Sequence, residues 1–144
     1  MKKLLKSLLA VMLISMMAIS FVSCGVPSDP AKAKKNLEAE GYAVVLEQFD
    51  LGDLGAALGD KTEANLVATK GEEIVTITWY KNADDAKAAY EKLEETNKKA
   101  KEELKKMEDG EAKDAAKAML DNAAFGRSGK IVWSGTKAAV KAAK

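Results

Sequence analysis

Few residues in this chain have side chains that carry out chemistry. There is no histidine, the commonest metal ligand and the usual base at neutral pH, and there is one cysteine, Cys24. Zinc, iron–sulfur and cysteine-nucleophile sites therefore lack the ligands and the base that they need. We expect no metal, no cofactor and no catalytic residue, and we predict that the protein is not an enzyme.

The acidic, glycine-containing segment at 47–63 is the strongest remaining candidate for chemistry. Its glycines do not have the spacing of a nucleotide-binding loop, and its carboxylates would repel phosphate. The acids also fail the alternating pattern of a calcium-binding loop. A surface loop with a short helical turn at 54–58 is the simpler interpretation, and a small hydrolase that uses these carboxylates is an alternative function.

Cys24 follows a segment with the composition of a signal peptide. Residues 1–6 contain three lysines and no acid, and Leu8–Val22 is apolar except for two serines. The apolar run fits the core of a signal peptide and falls short of the roughly 20 residues that span a bilayer. An uncleaved membrane anchor and a helix buried in the fold are the alternatives.

The end of this segment, Val22-Ser23-Cys24, resembles the lipobox of bacterial lipoproteins, and Phe21 stands where that family usually has leucine. The resemblance covers residues 1–24 only. It implies cleavage between Ser23 and Cys24 and a diacylglycerol on the Cys24 sulfur, often with a third acyl chain on the amino group. Two or more chains anchor a protein stably, whereas one chain does so weakly. We therefore expect an extracytoplasmic protein, anchored by lipid to a bacterial membrane.

The residues after the signal peptide are enough for one domain. We predict a signal peptide at 1–23, the lipidated cysteine with a short tether at 24–29, and a single domain at 30–144. The five tether residues after Cys24 reach at most about 18 Å, so the domain is expected close to the membrane. We identify no family resemblance after residue 24.

Net charge gives no reason to expect a nucleic-acid partner. Residues 1–23 hold three of the 23 basic residues and none of the 22 acids, which leaves the rest of the chain close to neutral. The charge is unevenly placed, because no acid follows Asp121 whereas these basic residues do: Arg127, Lys130, Lys137, Lys141 and Lys144. This segment is either ordinary solvated surface or a basic end that faces anionic lipid or wall polymer.

A β-hairpin is the clearest structural prediction. Apolar and polar residues alternate over 64–80, and Lys70-Gly71 is a suitable two-residue turn that would place Leu66 opposite Val75. The face that packs in the core would carry Ala64, Leu66, Ala68, Val75, Ile77 and Trp79. The other face would carry Asn65, Val67, Thr69, Thr76, Thr78 and Tyr80.

A long helix is predicted after the hairpin. Asn82 is a suitable N-cap, and apolar residues recur with four-three spacing over 86–107. This stripe is expected to pack on the sheet, with a coiled coil as the alternative. Gly110 ends the helix, a shorter helix follows, and a last strand occupies 125–134. That strand would be antiparallel to 74–80 if the second helix folds back on the first, and parallel if Gly110 only kinks the helix.

These elements predict an α+β domain. A four-stranded, mainly antiparallel sheet would carry a long helix or helical hairpin on one face, and short terminal helices would cover part of the other. Thr76, Thr78 and Tyr80 would then form a partner-binding surface on the second face, joined by Val45 if its neighbours face the helices. The alternative is that the terminal helices bury these residues in a second core.

The predicted function is that of a non-catalytic binding or scaffold module held at the membrane by its lipid. Its partner would be an unknown envelope protein or polymer, and we expect no nucleic acid and no nucleotide. A second candidate is a lipid- or envelope-polymer-binding protein that uses the basic segment after Asp121.

Overall fold

The computed structural model describes residues 25–48 and 61–144. In chain order the elements are helix α1 (Pro30–Ala39), strands β1 (Ala43–Gln48), β2 (Thr62–Lys70) and β3 (Glu73–Tyr80), helices α2 (Ala83–Lys106) and α3 (Glu111–Asn122), strands β4 (Ala123–Ser128) and β5 (Ile131–Thr136), and helix α4 (Lys137–Ala143). The predicted α+β class is confirmed. The predicted signal peptide, Ser23, Cys24 and most of the acidic segment lie outside the described residues.

Within these ranges five strands form one antiparallel sheet in the order β1-β2-β3-β5-β4, so the prediction of four strands is wrong. The segment expected to be one strand at 125–134 is a hairpin. Gly129 has a φ of +56°, and Ser128 pairs with Ile131 across a turn of two residues. Glycine adopts positive φ without strain, so the chain reverses where the sequence suggested only a bend.

The two helices between β3 and β4 return the chain along the length of the sheet. At 1.5 Å per residue, the 24 residues of α2 span about 36 Å and the 12 residues of α3 about 18 Å. α3 contacts α2, and β4 begins at the end of the sheet where β3 starts. β4 therefore has the direction of β3, while β5 lies between them and is antiparallel to both. The sequence left open whether the last strand is parallel or antiparallel to its neighbour. That strand is β5, and it pairs with β3 in the antiparallel direction.

The β2–β3 hairpin has the predicted faces in a different register. Gly71 and Glu72 form the turn, with a φ of +61° at Gly71, so Leu66 lies opposite Ile77 rather than Val75. The register differs from the prediction by two residues, and side chains alternate with a period of two, so each one stays on its face. The six predicted core residues of the hairpin are all buried.

The main core lies between the sheet and the two terminal helices. Leu37 of α1 and Ala139 of α4 are fully buried together with Leu66 and Ile77 of the sheet. The prediction that the long helix covers this face is wrong. One narrow apolar stripe covers little of a face that carries two tryptophans, whereas two short helices that contact each other cover more of it.

Helix α2 crosses the second face of the sheet, over β3, β5 and β4. The rings of Tyr90 and of Phe125 in β4 lie 5.8 Å apart, and Val132 of β5 is buried on this side. Among the described residues of α2, Ala86 alone is buried, and Leu93 is only half-buried. The stripe of α2 therefore packs on the sheet chiefly through its first turns.

Residues 25–27, predicted to belong to a tether, contact the folded domain. The side chain of Val26 is 4% exposed and belongs to the main core. The indole Nε1 of Trp79 donates a hydrogen bond of 3.2 Å to the carbonyl oxygen of Pro27. Trp79 is buried on the main-core face, so a buried donor is paired and an apolar side chain is removed from water. The packed domain thus begins earlier than residue 30.

Candidate functional site

The second face of the sheet has a part that α2 covers and a part with exposed apolar side chains. Val45 of β1 lies in register with Val67 of β2 and, through it, with Thr76 of β3. Thr69 and Ile74 form the adjacent row. We call these five residues the open face.

The open face mixes apolar and polar side chains. Val45 is 61% exposed and Ile74 is 45% exposed, the two highest exposures among the large hydrophobic residues of the described strands. Val67 and Thr76 are half-buried between neighbouring strands. Cross-strand neighbours of this kind have Cβ atoms about 5 Å apart, so the five side chains form one continuous surface. That surface is partly apolar and carries no ionisable group.

The three predicted partner-binding residues of β3 lie in different surroundings. Thr76 belongs to the open face. The hydroxyl of Thr78 donates a hydrogen bond of 3.0 Å to Oδ1 of Asn65. Tyr80 is half-buried at the other end of the strand, where burial and then the charge of Asp85 raise the pKa of its phenol. The terminal helices bury none of the three, because they pack on the opposite face.

Ile74 was missed by the sequence interpretation. The signal was present, because Ile74 precedes Thr76 by two residues and side chains two apart share a face. Val45 was named as a conditional member, and its condition holds, because Val44 and Leu46 pack against the main core.

Strand β1 forms an edge of the sheet beside the open face. It pairs with β2 from Ala43 to Gln48, and within 25–48 and 61–144 it has no second partner strand. An edge strand presents a row of backbone donors and acceptors that an extended peptide can pair with. An apolar surface beside a free edge is the combination that this recognition mode uses.

The carboxylate of Asp85 is held in a helix cap. Its Oδ1 lies 2.8 Å from Nζ of Lys61, and Nδ2 of Asn82 donates to its Oδ2 at 2.7 Å. The side chain of Asn82 in turn accepts from the backbone N–H of Asp85 at 2.8 Å. The hydrogen bond from Lys61, followed by that from Asn82, lowers the pKa of Asp85. These contacts join the start of α2 to Lys61, the residue before β2, and keep the carboxylate in structural hydrogen bonds.

Most carboxylates of the acidic segment, which the hydrolase alternative would use, lie outside the described residues. No group of three or more histidine, cysteine, aspartate or glutamate residues that could hold a metal ion occurs among the residues that the structure describes. Glu47 and Glu63, at the ends of the acidic segment, are both exposed. A groove of about 390 Å³ runs along α2, open to solvent and lined by Glu94, Asn97, Lys98, Lys101, Glu102, Lys105 and Phe125. Its mixed charges select no ligand by sign.

The basic residues after Asp121 are spread over the domain. Lys130 lies in the β4–β5 turn and Arg127 lies beside it, whereas Lys137 starts α4 at the opposite end of β5, about 20 Å away. Nζ of Lys144 lies 6.0 Å from the centre of the Trp133 ring. These cations therefore do not form one basic patch.

The chain matches no protein-family model, no curated protein and no solved structure in the comparisons with known proteins. Within the described ranges, no helix combines the length and the apolar character needed to cross a membrane. The case for a function therefore comes from the residues themselves.

Proposed function

We propose that this chain is a lipid-anchored protein of a bacterial cell envelope and that its domain is a non-catalytic binding module. The observation that carries the proposal is the position of the only cysteine. Cys24 ends a signal-peptide-like segment and is followed after one residue by Val26, which is buried in the core. A lipid on Cys24 would hold the whole domain at the membrane surface.

The recognition surface of the module is the open face together with the free edge of β1. Exposed apolar side chains that lie next to each other on a folded domain mark sites of interaction more often than isolated ones do. Val45 and Ile74 provide the apolar contact, and Thr69 and Thr76 provide hydroxyl groups. The partner is an envelope protein that adds an extended segment to β1 and lays side chains across this surface.

The anchor is tested by the intact mass of the protein isolated from its native membranes. We expect the loss of residues 1–23 and the added mass of two or three acyl chains. The Cys24→Ser variant should keep the soluble mass and leave the detergent phase on phase separation. An unmodified chain that starts at Met1, or a Cys24→Ser variant that still enters the detergent phase, would refute the anchor.

The binding surface is tested by two exposed substitutions with a matched control. Chemical crosslinking in native membranes should join the unmodified protein to its partner in one discrete crosslinked product. Ile74→Lys in the open face should abolish that product. Glu91→Lys, on the exposed side of α2, introduces the same side chain and should leave capture unchanged. Both variants should retain the unfolding midpoint of the unmodified protein, because surface substitutions usually change stability by less than about 0.5 kcal/mol. If both variants captured the partner equally, the open face would not be the binding surface.

A further inference from the structure

The chain enters the folded domain beside the β4–β5 turn. A Cβ built on Gly25 would lie 3.3 Å from Cβ of Ser128 and 3.6 Å from Cη2 of Trp133. The next residue, Val26, is buried in the core, and the carbonyl of Pro27 accepts the hydrogen bond from Trp79. Three consecutive residues thus fix the point at which the chain reaches the sheet.

Cys24 is bonded directly to Gly25, the first described residue. Consecutive Cα atoms are about 3.8 Å apart, so Cys24 lies within one residue of the contact between Gly25 and Ser128. Acyl chains on Cys24 would therefore be joined to the domain with no free linker. The end of the sheet that carries the β4–β5 turn would then be held at the level of the lipid headgroups.

The end of the sheet that carries the β4–β5 turn has exposed charges of both signs, because Glu47 and Glu63 lie at the same end as Arg127. Lys130 is exposed in the turn and Arg127 is exposed in β4 beside it, and the guanidinium of Arg127 donates a hydrogen bond of 3.1 Å to the carbonyl of Gly129. Of the acids at the start of α2, Asp85 is paired with Lys61 and Asp84 is exposed. Basic residues close to an anionic membrane each strengthen partitioning by about fivefold, and exposed acids at the same level oppose this effect. The orientation therefore rests on the attachment through Cys24 and not on charge.

We propose that the β4–β5 turn rests on the headgroups of the bilayer that holds the acyl chains of Cys24. The sheet then stands on the membrane, with the β2–β3 turn at its far end. The eight residues of β3 span about 25 Å between these two levels. The open face lies about 13–20 Å above the turn, where a second envelope protein can reach it. This orientation rests on the lipid anchor proposed above.

The orientation is tested with nitroxide labels on the lipidated protein in vesicles that contain a nickel-chelating headgroup. Lys130→Cys places the label in the turn expected at the headgroups, and Glu72→Cys places it in the exposed β2–β3 turn as the matched control. The acylated sulfur of Cys24 does not react, and the chain has no other cysteine, so each variant carries one label. We expect relaxation by the nickel lipid to be several-fold stronger at residue 130 than at residue 72.

The outcomes separate the orientation from the anchor. If the protein floats with the vesicles and the two labels relax equally, or the label at 72 relaxes more, the orientation is refuted and the anchor stands. If the protein does not float, both proposals fail.

A linker insertion tests the direct connection itself. Roughly ten glycine and serine residues inserted after Cys24 have a mean end-to-end distance of about 17 Å and should reduce the difference between the labels while flotation persists. A difference unchanged by the insertion would contradict the role given to the direct connection.

Discussion

Truncation of Leu37 to alanine should destabilise the domain much more than the same truncation of Leu93. Leu37 lies in α1 and Leu93 in α2, so both substitutions change a helical leucine to alanine at nearly the same cost in helix propensity. The difference between them therefore reports packing. It also decides which helices form the main core layer, since the apolar stripe of α2 suggested that α2 would.

The magnitude follows from the exposure of the two side chains. Leu37 is fully buried in the main core, and its truncation leaves a cavity between α1 and the sheet, which costs about 3–5 kcal/mol. Leu93 is half-buried, and water can reach the space that its truncation opens. Loss of about half of the apolar transfer free energy then costs about 1 kcal/mol. The two variants should differ by about 2 kcal/mol or more.

Urea denaturation followed by tryptophan fluorescence measures this difference. Trp79 and Trp133 both lie in the main core and report its unfolding directly. A difference of about 2 kcal/mol corresponds to roughly 1 M urea between the midpoints of the two variants, at equal slopes. Equal midpoints, or a lower midpoint for Leu93→Ala, would show that α2 carries the core and would refute the layer assignment.

Two further predictions concern local contacts. Burial and then the hydrogen bond to Glu73 raise the pKa of the Tyr42 phenol, so the native state keeps a proton that the unfolded state releases near pH 10. Stability should therefore fall as the pH rises above about 10, and Tyr42→Phe should weaken this fall; an unchanged alkaline profile would contradict it. A Cβ on Gly135 would clash with the backbone oxygen of Ile74, so Gly135→Ala should cost about 1–3 kcal/mol in thermal unfolding. Gly110→Ala, which meets no atom within 4 Å, should cost less than about 1 kcal/mol, and equal losses would refute the clash.

Local patterns were enough to predict most elements of the domain. Asp29 and Asn82 cap the helices that they were expected to cap, because the side chain of each accepts a hydrogen bond from a backbone N–H group in the first turn. The alternation over 64–80 assigned every hairpin side chain to its correct face, although the turn lies one residue later than predicted. Such features depend on residues close together in the chain, which is why they can be read without a fold.

The β4–β5 hairpin shows where local information was insufficient. Gly129 could serve either as a bend within one strand or as the first residue of a reversing turn, and both satisfy its neighbours. A reversing turn is favoured over a bend when the segments on its two sides can pair with each other as strands. Here β4 and β5 pair along their full length, from Ser128–Ile131 at the turn to Ala123–Thr136 at the far end.

The sequence by itself determined the signal-peptide-like segment, the single candidate for lipidation at Cys24, the absence of histidine and the order of most helices and strands. The tertiary structure decided which helices cover which face, that Val26 is part of the core, and that Val45 and Ile74 form an exposed surface. The reason is that periodicity shows which side of an element is apolar but not which distant element covers it. That choice depends on the fit between surfaces far apart in the chain, here the short alanine-rich helices at the two ends against the face with both tryptophans.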